Sequence, residues 1–478
     1  MRLIREHDGR DELLTPFEDY LERRGGGFFE PGRRITLGRA PARIDCMGGI
    51  ADYSGSVVFE GPLREAAVVA FQPRDDSVLR ALSVSPAEGE QPREAEFDLR
   101  SFRDGSGRTR DYAELCALFA HDGSKAWSAN VLGAVAVLER EGVHRFERGG
   151  NFLLWRGLPL GAGVGSSAAM QVAAMFALTS GLDIKLPGLR LAALAQAVEN
   201  KVVGAPCGIM DQMTSALGEA GMLLALRCQP CELLGQHELP EGVKAFGLNS
   251  RVHHSVAGAA YAAARVSAFM GLKVILAEKE RRAQPITEAD RYLCNIAPKD
   301  YVRQYRHLIP EHMKGADFLK AFGETTDTVT RVDARTVYRV RAGTDHPVFE
   351  DYRVRTFIEC MERARAGDRT ALVEAGGLMY ASHWSYGWNC GLGCEETDLL
   401  VSLVRQRGPE QGLYGARVSG GGSGGTVAVL AEADAAGGAD TVREIAAEYE
   451  ARTGRRPDVF DGTSPGACAF GPRRYRLE

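Results

Sequence analysis

The sequence predicts an α+β fold in two halves, and three observations predict it. At 478 residues the chain exceeds the usual reach of one hydrophobic core, so two domains of roughly 150 to 250 residues each are expected. Short β-branched and aromatic runs crowd the first half, whereas helical spacing dominates from about residue 248 onward. No internal repeat points to a solenoid or propeller. The boundary falls near residue 245, which gives an extension over 1–34, an N-terminal domain over 35–245 and a C-terminal domain over 246–478.

Each element follows from local chemistry. The charged opening ends in the flexible Gly25-Gly26-Gly27, before the fold proper. Residues 35–40 read as a strand entering a loop, and 57–60 and 66–71 as two further strands rich in residues that suit a pleated surface. Residues 127–138 have the spacing of a buried helix. A compact strand at 152–155 runs into a glycine loop at 157–167, followed by helices at 168–178 and 189–198. In the second half, 256–276 and 371–379 are helical, while 281–347 is charged and less regular, an elaboration on the domain. Two strands, 416–418 and 426–430, bracket the glycine loop SGGGSGG.

Composition narrows the function. A hydrophobic share of 45% and a charged share of 25% are ordinary for a globular protein. The formal net charge of -5 argues against a nucleic-acid surface, which needs a basic excess. The N-terminus is too charged for a signal core, and no run approaches the roughly 18 apolar residues of a membrane helix. The ten cysteines are then reduced thiols of a cytoplasmic protein. Cys228-x-x-Cys231 and Cys390-x-x-x-Cys394 have spacings a metal could use. No histidine spacing accompanies them, so packing cysteines are the better reading.

The loop at 157–167 carries chemistry. A strand, a glycine turn and a helix opening on Ser166 and Ser167 form a phosphate-binding geometry. Glycines let backbone N–H groups approach phosphate oxygens, and the helix terminus adds partial positive charge. The serines can cap the helix and offer oxygen to Mg2+. The loop has neither the Gly-Lys-Ser/Thr of a P-loop nor a dinucleotide fingerprint, and a plain serine-capped turn is the alternative. It does not stand alone, because Glu199 and Asp211 follow within a dozen residues of each other. One would hold Mg2+ and the other engage a hydroxyl proton.

The blocks at 39–56, 159–169 and 419–425 resemble, in order, the three motifs of the GHMP small-molecule kinases. PCGIMDQ at 206–212 and NSRVHHS at 249–255 are similar to the galactokinase branch. MGGIADYSGS, PCGIMDQMTSALGEA, LIPEHM and GGGSGGT resemble, in finer detail, the kinase domain of plant L-arabinokinases, over nearly the whole chain after residue 35. The glycosyltransferase-like region that precedes that plant domain is not in this sequence.

The resemblance implies a two-domain GHMP kinase fold with the active site in the cleft between domains, ATP as donor, and phosphorylation of an anomeric sugar hydroxyl. Gly161, Ala162, Gly163, Val164, Gly165, Ser166 and Ser167 would wrap the ATP phosphates, with Ser167 and Glu199 on Mg2+ and Trp127 against the adenine. Asp211 would face the sugar O1 hydroxyl, as a base or as an electrostatic partner, and Arg43 would bridge Asp211 and the transferring phosphoryl group. Asp52, Gly208 and Tyr261 would contact the sugar, and Gly420, Gly421 and Gly422 would buttress the phosphate loop. A sugar-sensing relative without turnover would be expected to have lost Arg43, Ser167, Glu199 or Asp211, and all four are present. Phosphomevalonate- or homoserine-type kinases lack the PCGIMDQ context.

Departures from the galactokinase pattern point to the sugar. Gly49-Ile50 stands where galactokinases usually carry Glu-His, the pair that reaches O6 of galactose. L-Arabinose has the ring stereochemistry of galactose and no C6 group, so Gly49 and Ile50 would shape a pocket against a sixth carbon. A buried hydroxyl left unpartnered costs roughly 1 to 3 kcal/mol. The expected reaction is therefore L-arabinose to β-L-arabinose 1-phosphate, with a galactokinase or dual-specificity enzyme as the alternative. Asp45 replaces the usual asparagine, Ser423 a phenylalanine and His253 an arginine; Asp45 has no functional account at this level.

Overall fold

The computed structural model describes residues 2–6, 10–86, 90–252, 257–434 and 437–478; His253 lies outside them. The strands, in chain order, begin with β1 (Leu3–Arg5), β2 (Ile35–Met47), β3 (Val57–Pro73), β4 (Val78–Val84) and β5 (Arg93–Asp98). They continue with β6 (Gly150–Gly157), β7 (Met222–Arg227), β8 (Glu232–Glu238), β9 (Val243–Asn249) and a short hairpin of β10 (Met313–Lys314) and β11 (Val337–Tyr338). The last are β12 (Leu413–Val418), β13 (Thr426–Glu432), β14 (Asp458–Phe460) and β15 (Arg473–Leu477). The helices of the first half are α1 (Thr15–Arg24), α2 (Tyr112–Ala120), α3 (Ala129–Arg140), α4 (Ser166–Gly181), α5 (Gly188–Ala197) and α6 (Met210–Leu217). Those of the second half include α7 (Ala257–Arg281), α8 (Pro298–Gln304), α9 (Gly315–Phe322), α10 (Val340–Arg365) and α11 (Thr370–Trp388).

Among the described residues two sheets carry the architecture. The larger has nine strands in the order β1-β15-β2-β3-β6-β4-β5, with β7 and β8 added along β3. The smaller has four, β12-β13-β9-β14. All thirteen residues of β2 are buried, because α4 lies across it. That approach requires Gly38: a Cβ there would fall 2.4 Å from the Ala173 carbonyl oxygen and 2.8 Å from the Ala177 nitrogen.

Several boundaries differ from the sequence reading, each for a physical reason. The strand read at 35–40 runs on to Met47, past Pro41, with register shifts at Pro41/Arg43 and Asp45/Met47. Proline cannot donate to a ladder, and bulges of this kind bend a strand and re-aim its side chains. The strands read at 57–60 and 66–71 are one, β3. Its first part pairs with β7 and its last with β6, while β2 runs along the other edge. The apparent gap marks a change of partner. The segment read as an extension is built into the fold. β1 pairs with β15, and Leu14, Phe17 and Leu21, at helical spacing among charges, pack with Ile35, Leu37, Tyr475 and Leu477. Residues 281–347 also pack rather than hang from the surface: Tyr301, Ile309, Phe318 and Tyr338 join the core around α7 and α10.

One helix, Gly258–Arg281, is long and apolar enough by composition to span a membrane (mean hydropathy 1.4), contrary to the sequence reading. Inside the fold 61% of that window is buried, as for a core helix of alanines and aliphatic residues.

Replacing Gly38 with alanine should force α4 off β2. Denaturant unfolding should show a loss of about 1 to 3 kcal/mol, and activity should fall with it, because α4 begins at Ser166. An unchanged midpoint would mean that the helix has room.

Candidate active site

The bulged part of β2 delivers Arg43 to the centre of the site. Its Nε and Nη2 donate to the two carboxylate oxygens of Asp211, both at 2.9 Å, and its Nη1 donates to the Gly163 carbonyl at 2.7 Å. Glu60, from β3, completes the surroundings with a carboxylate 3.1 Å from Nε, itself held by the Thr214 hydroxyl at 2.8 Å. Burial works against the Arg43 charge, but the carboxylates of Asp211 and Glu60 outweigh it and raise the pKa. Arg43 is 3% exposed and Asp211 23%, so the carboxylate is the member of the pair that reaches solvent. Asp211 lies in the first turn of α6, where the helix terminus favours a negative charge.

The glycine loop at 161–167 is pinned between this pair and the second glycine loop. Gly161, Gly163 and Gly165 all have positive φ. Gly165, not a serine, caps α4, and no side-chain cap bond forms; Ser166 and Ser167 are the first helical residues. A side chain at 165 would meet Asp211 Oδ2 at 3.0 Å. Ala162 and Val164 are buried. The Val164 carbonyl accepts from the Arg43 N–H at 2.9 Å, and the Ala162 carbonyl accepts from the Thr426 hydroxyl at 2.7 Å. Gly420 packs against the Gly163 carbonyl, where a Cβ would come within 2.6 Å, and Gly422 against the Leu392 carbonyl at 2.6 Å. Gly421 faces open space.

The residues present suit Mg2+. The Ser167 hydroxyl donates to Glu199 Oε1 at 2.6 Å, and Gln212 Nε2 donates to the other oxygen at 2.7 Å. Gln212 Oε1 is a buried acceptor with no hydrogen-bond partner among the described residues. A hydroxyl and a carboxylate are the oxygen donors that a hard cation takes. Glu199 occupies a π-helical turn, Val198–Val203, a distortion frequent at functional sites. Burial raises its pKa to about 7, with the Ser167 bond acting the other way. No cluster of three or more His, Cys, Asp or Glu suited to a metal occurs among the described residues, and Cys228, Cys231, Cys390 and Cys394 are free thiols. Trp127 sits in the 3-10 turn before α3, half-buried, with its Nε1 donor unpartnered among the described residues. Its carbonyl accepts from Asn130, which leads through Gln171 to Gln212, so one line of amides joins this turn to Glu199.

The residues expected at the sugar, Asp52, Gly208 and Tyr261, lie close to one another. Asp52 is buried, and its Oδ1 accepts from the Tyr53 N–H at 2.7 Å. Gly208 must be glycine, since a Cβ there would fall 1.4 Å from Asp52 Oδ2. Burial first, and then the nearby Asp211 charge, push the Asp52 pKa up to about 7 against the pull of Arg265. Tyr261, on α7, meets Tyr53 edge-on at 6.1 Å. Gly49 and Ile50 are placed differently from the sequence reading. The position of a side chain at 49 is filled by the Tyr386 hydroxyl, and the Ile50 side chain lies within the apolar core around α7.

Sequence reasoning missed Glu60, Arg265, Tyr386 and Arg417. Arg265 is buried, paired with Asp327 at 2.7 Å and stacked over Tyr53. Arg417 is fully buried and pairs with Asp45 at 2.8 Å, which supplies the account that Asp45 lacked. Only Arg417 carried a local signal, a charge two residues before a glycine loop.

Comparison with known proteins agrees with this geometry. Residues 129–219 match the GHMP kinases N terminal domain. The L-arabinokinase of Arabidopsis thaliana is 38% identical over 98% of this chain, which spans 49%, about half, of that protein. The galactokinases of Streptomyces coelicolor (30% identical, 90% of this chain and 92% of the relative) and Chloroflexus aggregans (29%, 96% and 97%) match nearly end to end. The fold is that of the Lactococcus lactis galactokinase solved with galactose, at a TM-score of 0.68 with 19% identity over 95% of this chain and 98% of that one. The chain belongs to the GHMP kinase family, in its galactokinase branch, and is a small-molecule phosphotransferase.

Asp52, through its burial, carries a pH-dependent cost in stability. Its folded pKa of about 7 exceeds the ordinary 3.8, so the neutral form is favoured. The stability it contributes is full below the ordinary value and is lost as pH rises through the folded one. Asp52→Asn should therefore raise the melting temperature more at about pH 8 than at about pH 5, while sugar KM rises. An equal gain at both pH values would mean that Asp52 does not titrate in the fold.

Proposed function

We propose that this protein is an ATP- and Mg2+-dependent sugar 1-kinase that phosphorylates the anomeric hydroxyl of L-arabinose to β-L-arabinose 1-phosphate. The reading is carried by one observation: a two-pronged Arg43–Asp211 pair whose arginine also holds the Gly163 carbonyl. Phosphoryl transfer asks mainly for positioning and charge stabilisation. Arg43 is a permanent cation locked against the phosphate loop, so it meets the transferring group without reorganising. Asp211 holds the sugar O1 hydroxyl and its proton, as base or as orienting partner. Gly161 to Ser167 wrap the ATP phosphates at the terminus of α4, with Trp127 against the adenine. Mg2+, when bound, neutralises phosphate charge, and Ser167 and Glu199 would hold it. Asp52, Gly208 and Tyr261 receive the ring hydroxyls, and of the three glycines expected to buttress the loop only Gly420 packs against it, at the Gly163 carbonyl. The ten free cysteines suit a cytoplasmic enzyme.

D-Galactose is the second reading. It is favoured by galactokinase relatives that match nearly end to end, and Asp52 would meet hydroxyls common to both sugars. L-Arabinose is preferred because Tyr386 fills the place of a side chain at 49 and Ile50 is apolar, so neither position offers a partner to O6.

Incubation with MgATP and L-arabinose, D-galactose, D-fucose or D-glucuronate, with product phosphate located by phosphorus NMR, should give an anomeric phosphate with L-arabinose the best substrate. A kcat/KM for galactose more than about tenfold above that for arabinose would transfer the assignment to a galactokinase. Asp211→Asn should lower kcat at least about a hundredfold with little change in ATP affinity. An unchanged kcat would remove Asp211 from the chemistry.

A further inference from the structure

The backbone at Gly49 (φ +40) points a side-chain direction at occupied space. A Cβ there would lie 1.6 Å from the Tyr386 hydroxyl oxygen and 2.8 Å from Arg417 Nη2. The hydroxyl is committed on both sides: it accepts from the Ile50 N–H at 2.8 Å and donates to the Gly420 carbonyl at 3.0 Å. One phenol thus ties the sugar motif to the second glycine loop.

Arg417 lies over the Tyr386 ring, 4.9 Å from its centroid. Both are fully buried, and among the described residues the ion-pair partner of Arg417 is Asp45, also fully buried. Asp45 further accepts from the N–H groups of Gly49 and Gly420, each at 3.3 Å. Arg417 Nη2 has no hydrogen-bond partner among the described residues, and it is the nitrogen beside the missing side chain of position 49. A buried guanidinium needs a carboxylate; Glu350 also acts on Arg417 without direct pairing, and for a direct ion pair this geometry offers position 45 or position 49.

We propose that Asp45 and Tyr386 are positioning residues that set the sugar choice of the 49–50 motif. The Tyr386 hydroxyl and any side chain at 49 exclude one another. The Asp45 carboxylate takes over the pairing with Arg417 that an acidic residue at 49 would otherwise make. Positions 45, 49, 386 and 417 therefore act as one unit, and sugar specificity does not move by changing 49 and 50 alone. The selectivity part rests on the sugar-kinase reading above; the exclusion part does not.

The test compares Gly49→Glu/Ile50→His with the same pair in an Asp45→Asn/Tyr386→Leu background, by melting temperature and by kcat/KM on both sugars. The double variant should melt lower and lose activity on both. The quadruple variant should recover the melting temperature and shift the galactose-to-arabinose ratio at least about tenfold toward galactose. A double variant that shifts the ratio equally at undiminished stability would overturn the proposal. So would a quadruple variant that recovers stability without a shift. Tyr386→Phe keeps the ring and removes only the hydroxyl. It should raise sugar KM several-fold with ATP KM unchanged, and an unmoved sugar KM would also refute the positioning role. If the unaltered protein phosphorylates neither sugar, the substrate reading fails, while the melting temperatures still decide whether 49 and 386 exclude each other.

Discussion

The Arg43 guanidinium is the constraint from which the rest of the site takes its shape. It donates to Asp211 and to the Gly163 carbonyl at once, so the carboxylate and the glycine loop share one rigid reference. Such an arrangement suits a reaction that needs alignment more than new bonding from the protein. The environment maintains it, since a cation this buried is tolerated only because two carboxylates, Asp211 and Glu60, surround it.

A second buried pair repeats this logic two residues along β2. Asp45–Arg417 fastens β2 to β12, and through Tyr386 to α11. The 49–54 motif is thus tied to the smaller sheet and its helices, while the 157–165 loop continues from β6 of the larger sheet. Ile50 and Tyr53 anchor that motif in the apolar cluster around α7 and α10.

Much of this was legible in the sequence. The phosphate loop, the helix it opens and the second glycine loop follow from glycine spacing, because positive φ and close backbone approach leave few other residues possible. Arg43, Asp211, Ser167 and Glu199 came with their motifs. Glu60 was hidden because it sits in an apolar-looking run, VVFEG, and only the three-dimensional neighbour Arg43 explains a carboxylate there. Tyr386 lies 336 residues from the Ile50 N–H that it serves, a separation no periodicity reveals. What fills the place of a side chain at Gly49 was hidden for the same reason: the Tyr386 hydroxyl comes from the other half. The N-terminal segment misled because its three core-facing residues are diluted by charges on the remaining helix face.

The placement of β15 between β1 and β2 has a consequence for how the molecule is made. Both edges of that strand are zipped, and the Arg2 and Glu478 backbones exchange hydrogen bonds. In synthesis order, the entire smaller lobe emerges as a parenthesis inside the larger one. Until residues 473–477 arrive, β2 waits with an unpaired edge, and the cradle for Phe17 and Leu21 lacks Tyr475 and Leu477. Closing it joins residues as far apart in sequence as Leu3 and Leu477, a slow step by topology alone. An exposed edge during that wait is what a nascent-chain chaperone would have to shield.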